Sequence, residues 1–307
     1  MKQIRTDLAM EQALHCGGSG VCQREEKMGN IMKTEVIVET EAAARLLQKP
    51  RGHYITFSME DMYYANAKER LQLSKLLAGT LKSLLPEDGE ILVVGLGNRR
   101  ITADALGSRV LDDLLVTRHL QHTAGIGEGV LRSVCALAPG VLGVTGMETA
   151  EVIRGIAEHV KPGAVIAVDA LAARECCRIG NTIQVTDTGI QPGSGVGNHR
   201  MGLNRETLGV PVIAIGVPMV VYASVIAGDA LQNMMQQAGL EEPSYAQAAD
   251  RLVEQAMRHS LGDMVVTPRE VDEMVGKVAR IIGDGINGAL QSGLTHEEMM
   301  LLAHDGM

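Results

Sequence analysis

The chain has 307 residues and a formal net charge of −9, with no tryptophan, one phenylalanine, five tyrosines and 17 methionines. The acidic balance and the lack of a basic tract argue against direct nucleic-acid binding. No apolar run approaches the roughly 20 residues needed to span a bilayer, and the N-terminus has no apolar signal core, so no membrane partner and a cytoplasmic location are expected.

Residues 1–30 read as irregular and Gly-bearing. Thr34-Glu35-Val36-Ile37-Val38-Glu39 alternates at period two and predicts a strand. A second strand is expected over 53–57, behind the turn signals Pro50 and Gly52. Apolar residues at helical spacing predict a helix over 61–85, ended by Pro86. From there the pattern alternates: strand 91–94, helix 102–117, strand 133–137, helix 145–160, strand 164–168, a short strand 182–185, strand 212–215 and helix 222–238. Residues 245–259 and 269–290 read as helices, with Pro268 suited to the first turn of the second. The alternation predicts an α/β fold: a mostly parallel twisted sheet with helices on both faces. Whether the strands over 34–57 extend that sheet or form a flanking layer is left open.

Two segments stand out, Val93-Val94-Gly95-Leu96-Gly97-Asn98 running into Thr102-Ala103-Asp104, and Val165-Ile166-Ala167-Val168-Asp169. Each is an apolar run that ends by delivering one aspartate. Consecutive parallel strands release their loops at one sheet edge. Two carboxylates gathered there can share a proton and divide acid and base roles. Asp104 also reads as an ordinary first-turn acid behind a Thr102 N-cap. A charge ending a buried strand, as at Asp169, needs a partner or the sheet edge. Gly95-Leu96-Gly97-Asn98 follows a strand as a dinucleotide loop would, but the third glycine is missing and Arg99-Arg100 stands there.

The Gly-rich loop 186–198, with Gly193-Ser194-Gly195 at its centre, reads as an active-site wall or as a turn between strands. Five cysteines, Cys16, Cys22, Cys135, Cys176 and Cys177, fit reduced thiols, with Cys135 as a small core residue. His119 reads as a cation at a helix end. A metal-assisted hydrolase using Asp104, Asp169 and His119, a nucleotide-binding regulatory module using 95–98, and a catalytically silent scaffold are the rival readings.

Taken together, these segments resemble the spore germination protease family, the endopeptidases that degrade small acid-soluble spore proteins. The likeness runs through Arg5-Thr6-Asp7-Leu8-Ala9, 93–98, 102–107, 115–120, 167–174, 189–198, 211–216 and 264–268. It implies an atypical aspartic-type peptidase with a fold similar to the hydrogenase maturation proteases, no cofactor and no metal. The family's two proposed catalytic aspartates fall on Asp104 and Asp169. The resemblance further implies a zymogen, a homotetramer, small acid-soluble spore proteins as substrates, and a location in the forespore and spore core. Family substrates are cut after an acid and before an apolar residue followed by Ala. Thr6-Asp7-Leu8-Ala9 matches that rule, so self-cleavage is expected between Asp7 and Leu8. Residues 1–7 would then be a short propeptide and 8–307 one peptidase domain. The segment before the cut and the region 239–263 are shorter than in longer members, and Ala103 stands where Pro is usual.

Overall fold

The structure, a computed structural model, describes residues 6–14, 20–122, 131–191, 201–239, 263–294 and 298. In chain order the strands are β1 (Val21–Met28), β2 (Ile31–Val38), β3 (Gly52–Met59), β4 (Ile91–Gly95), β5 (Val134–Leu137), β6 (Ala164–Ala173), β7 (Thr182–Thr186), β8 (Val212–Tyr222) and β9 (Val265–Val266). The helices are α1 (Ala9–Ala13), α2 (Glu41–Leu47), α3 (Ala67–Leu84), α4 (Leu106–Val110), α5 (Leu142–Thr145), α6 (Thr149–Val160), α7 (Arg205–Leu208), α8 (Ala223–Gln237) and α9 (Val271–Leu290). The expected α/β architecture is present. One sheet runs β1-β2-β3-β7-β8-β6-β4-β5, and β9 pairs with β8. The strands β5, β4, β6 and β8 are mutually parallel. β7, β3, β2 and β1 continue the sheet through antiparallel pairs, so the early strands extend it.

The parallel strands are apolar on both faces because both faces are covered. Alternate residues of β4 and β6 split between two clusters. Ile91, Val93, Ala164, Ile166 and Val168 join the core that holds Leu73 and Leu77 of α3, Leu106 of α4 and Val278 of α9. Leu92, Val94, Val165 and Ala167 join a second cluster with Ala150 and Ile153 of α6. Asn66 closes the N-terminus of α3 in a reciprocal capping box with Glu69.

Several sequence expectations need correction. Residues 21–28, read as irregular, form β1. Its central residues 23–27 are all exposed, so this edge strand carries no alternation to find. The helix expected over 102–117 breaks into a 3₁₀ turn (Thr102–Asp104), α4 and a second 3₁₀ turn (Leu111–Asp113). The cause is tertiary. Asn287 on α9 accepts the Leu115 N–H at 2.9 Å and donates to the Asp113 carbonyl at 2.9 Å, satisfying backbone groups that a continuous helix would pair internally. Gly146, at φ 72°, splits the helix expected over 145–160. Pro268 precedes α9 rather than lying in its first turn, its carbonyl accepting the Val271 N–H. Cys135 is half-buried on β5, not core, and burial beside Glu90 pushes its thiol up to about 11. The helix expected over 245–259 lies outside the described residues. Among the described residues no helix is long and apolar enough to cross a membrane.

Candidate active site

β5 lies on one side of β4 and β6 on the other, so the strand order reverses at β4. In such sheets the crevice opens at the C-terminal ends of the two strands that flank the reversal. Both expected aspartates come to that edge. Gly95, the last residue of β4, is level with Val168, and the Leu96 N–H bonds the Val168 carbonyl at 2.8 Å. Asp169 is therefore the first β6 residue beyond the end of β4. It does not end its strand as expected, since β6 continues to Ala173.

Asp104 arrives on the loop after β4. Its Oδ2 accepts the Asn98 N–H at 2.7 Å, closing the loop 98–104 on its own carboxylate. Thr102 caps nothing here, and the 3₁₀ turn starts after Ile101 without a side-chain cap. The turn carrying Asp104 touches both β6 and β8. Two glycines permit this closeness. Gly97 sits at φ 94°, and a Cβ there would stand 2.0 Å from the Asp104 carbonyl oxygen. At Gly107 a Cβ would stand 2.3 Å from the Val168 carbonyl oxygen. Arg99 fastens the outer side of the loop, donating to both Asp112 oxygens at 3.0 and 2.8 Å and to the Ser108 carbonyl.

Asp169 is 7% exposed, and its Oδ1 accepts the Ala170 N–H at 2.9 Å. Strand alternation puts it on the face of Val165 and Ala167. Its register partner on β8 is Gly216, whose partner on β7 is Gln184. Cross-strand partners share a face, so Asp169 and Gln184 flank a residue with no side chain. The side chain of Leu171 fills the space above Gly216. Asp104 is half-buried and Asp169 buried at this edge.

The N-terminal segment reaches the same region. The Asp7 N–H bonds the Ala172 carbonyl at 2.8 Å, and the Asp7 carboxylate accepts the Ala172 N–H at 2.9 Å. The Asp7 carbonyl oxygen accepts from Lys49 Nζ at 2.9 Å and from Gln184 Nε2 at 3.3 Å. Leu8 and Ala9 are 0% exposed. The Thr6 hydroxyl accepts the Leu8 N–H and donates to buried Glu11, which also takes the Arg174 and Glu175 N–H groups. Burial holds the Lys49 ammonium below its ordinary value, and the Asp7 carboxylate opposes that shift. Lys49 and Gln184 carry no motif, while Ala172 lies in the stretch 167–174 that the family likeness runs through. The one signal was an amide inside the otherwise β-branched strand 182–186.

His119 is exposed on a 3₁₀ turn, Arg118–His122, where Arg118 pairs with Glu90 at 2.8 Å. It caps no α-helix. Among the described residues no three His, Cys, Asp or Glu side chains converge as metal ligands. Gly193, Ser194 and Gly195 lie outside the described residues. The chain on either side of that loop is joined by a bridge between Ile190 and Leu203.

The germination protease family model matches residues 3–261. A germination protease of Caldanaerobacter subterraneus subsp. tengcongensis is 43% identical over 318 residues, covering 98% of each chain. One from Clostridium tetani is 41% identical, covering 96% of this chain and 98% of its own. One from Bacillus subtilis is 36% identical, covering 96% and 95%. With the family model matching most of the chain and likeness at this level along nearly its whole length, the chain belongs to the germination protease family.

Proposed function

We propose that this peptidase is an endopeptidase that starts the degradation of small acid-soluble spore proteins during germination. In this reading Asp104 and Asp169 act as an aspartate pair. One carboxylate, ionised, takes a proton from water. The other, protonated, donates to the carbonyl oxygen of the bond being cut. The supporting observation is that Asp169 lies on β6 and Asp104 on the turn that follows β4, the two adjacent parallel strands at which the strand order reverses, and that this turn touches β6.

The chain is made as a zymogen, residues 1–7 being the propeptide and 8–307 the peptidase domain, and it cuts itself between Asp7 and Leu8. The way the fold holds Asp7 supports this, since a bond to be cut must be held still before it is attacked. A homotetramer acting in the forespore and spore core completes the proposal.

The test is incubation with a purified small acid-soluble spore protein and mapping of the products by mass spectrometry. Cuts between an acidic residue and Leu, Ile or Phe are expected. Asp104→Asn and Asp169→Asn should each abolish them while urea denaturation shows an intact fold. Wild-type cleavage by either variant would reject the pair.

A further inference from the structure

The segment 6–9 is bound the way a peptide is bound in a subsite. Asp7 is fixed to Ala172 through its backbone N–H and its carboxylate. Gln184 reaches both sides of the Asp7–Leu8 bond: its Nε2 donates to the Asp7 carbonyl and its Oε1 accepts the Ala9 N–H at 2.8 Å. Lys49 sets a cation against the same carbonyl oxygen. We propose that Ala172, Gln184 and Lys49 form the subsite for the acidic residue preceding the cut bond, with Lys49 distinguishing a carboxylate from its amide. The inference rests on the endopeptidase reading above.

The chemistry follows from the contacts. Water adds to the Asp7 carbonyl carbon, giving its proton to the ionised carboxylate of the pair. The carbonyl electrons move onto the oxygen that Lys49 and Gln184 already hold, and both donors keep their protons. Collapse breaks the C–N bond, and the Leu8 amine leaves with a proton from the acid. Donors fixed beforehand on an oxygen that gains charge stabilise the transition state more than the ground state.

A single backbone N–H, such as that of Ala172, serves an aspartate or an asparagine side chain alike. Charge is what separates the two, and Lys49, whose Nζ donates to the Asp7 carbonyl oxygen at 2.9 Å, is a cation held beside that residue and attracted to its carboxylate. Leu8 and Ala9, both sealed from solvent, set the register.

The test uses the full-length chain and follows release of the segment ending at Asp7 by mass spectrometry. Four proteins form a cycle: wild type, Asp7→Asn, Lys49→Met and both together. With Lys49 present, Asp7→Asn should slow release about tenfold or more, the loss expected for one charge-assisted contact. With Lys49→Met the same change should cost several-fold less, because a group that reads charge is gone. Lys49→Arg should restore most of the preference, and Lys49→Gln serves if the methionine variant misfolds. A purely structural Lys49 would slow aspartate and asparagine chains equally, so losses that multiply across the cycle overturn the proposal. If the wild type never cuts, or if Asp104→Asn and Asp169→Asn cut normally, the endopeptidase reading fails first and this one with it.

Discussion

Replacing Gly97 by alanine isolates how closely the β4 loop must hold Asp104. The left-handed backbone at φ 94° costs an alanine about 1–2 kcal/mol by itself. The added Cβ would stand 2.0 Å from the Asp104 carbonyl oxygen, where real Cβ atoms keep at least 3.0 Å, so the turn must retreat by 1.0 Å (3.0 − 2.0). Under the proposed role of Asp104, a shift of that size costs about 10²-fold in rate. Gly209 supplies the control. It sits at φ 75° after α7, and a Cβ there meets nothing within 4 Å. Gly209→Ala should lose about 1–2 kcal/mol and keep its rate of self-cleavage. Gly97→Ala should lose about 2–4 kcal/mol and about a hundredfold in rate. Urea denaturation and mass spectrometry of the released segment measure the two quantities. Equal cleavage rates for the two variants would refute the claim that this contact positions Asp104.

Other consequences are open to measurement. Asn287→Leu strands the Leu115 N–H and the Asp113 carbonyl together, so urea denaturation should show a loss of roughly 2–4 kcal/mol. Lys49 has a folded-state value below its ordinary 10.5. Between those two values the unfolded chain binds more protons, so stability contributed at this site rises with pH there. Wild type minus Lys49→Met, compared near neutrality and at about pH 10, should display that rise, and a falling difference would contradict the burial of the ammonium. Cys135, with its thiol pushed up to about 11, should resist alkylation at pH 8 long after exposed Cys176 has reacted, as peptide mapping would record. Faster labelling of Cys135 would mean that β5 is open to solvent.

Strands buried on both faces declare themselves as unbroken apolar runs, which is why 91–94 and 164–168 were legible. Asp169 was legible for the same reason, being a charge where its apolar run stops, and Asp104 as the acid of the segment that follows the run over 91–94. The edge strand β1 was not, because a solvated strand has no face to hide and no alternation to show. The broken helix at 102–117 was not either. Its backbone groups are met by Asn287, 172 positions from Leu115, and nothing local reports a partner so distant.

By itself the sequence determined the class of fold, the two acidic segments and the Thr6-Asp7-Leu8-Ala9 stretch, since each is written in adjacent residues by period, charge or motif. Only the tertiary structure decided that the strand order reverses at β4 and that Asp169 faces the same side as Gln184. It alone brought Lys49 and Gln184 onto the Asp7 carbonyl and Ala172 onto the Asp7 N–H and carboxylate. Those contacts join residues 42 to 177 positions apart, and their pairing is set by sheet register and packing, which local patterns do not encode.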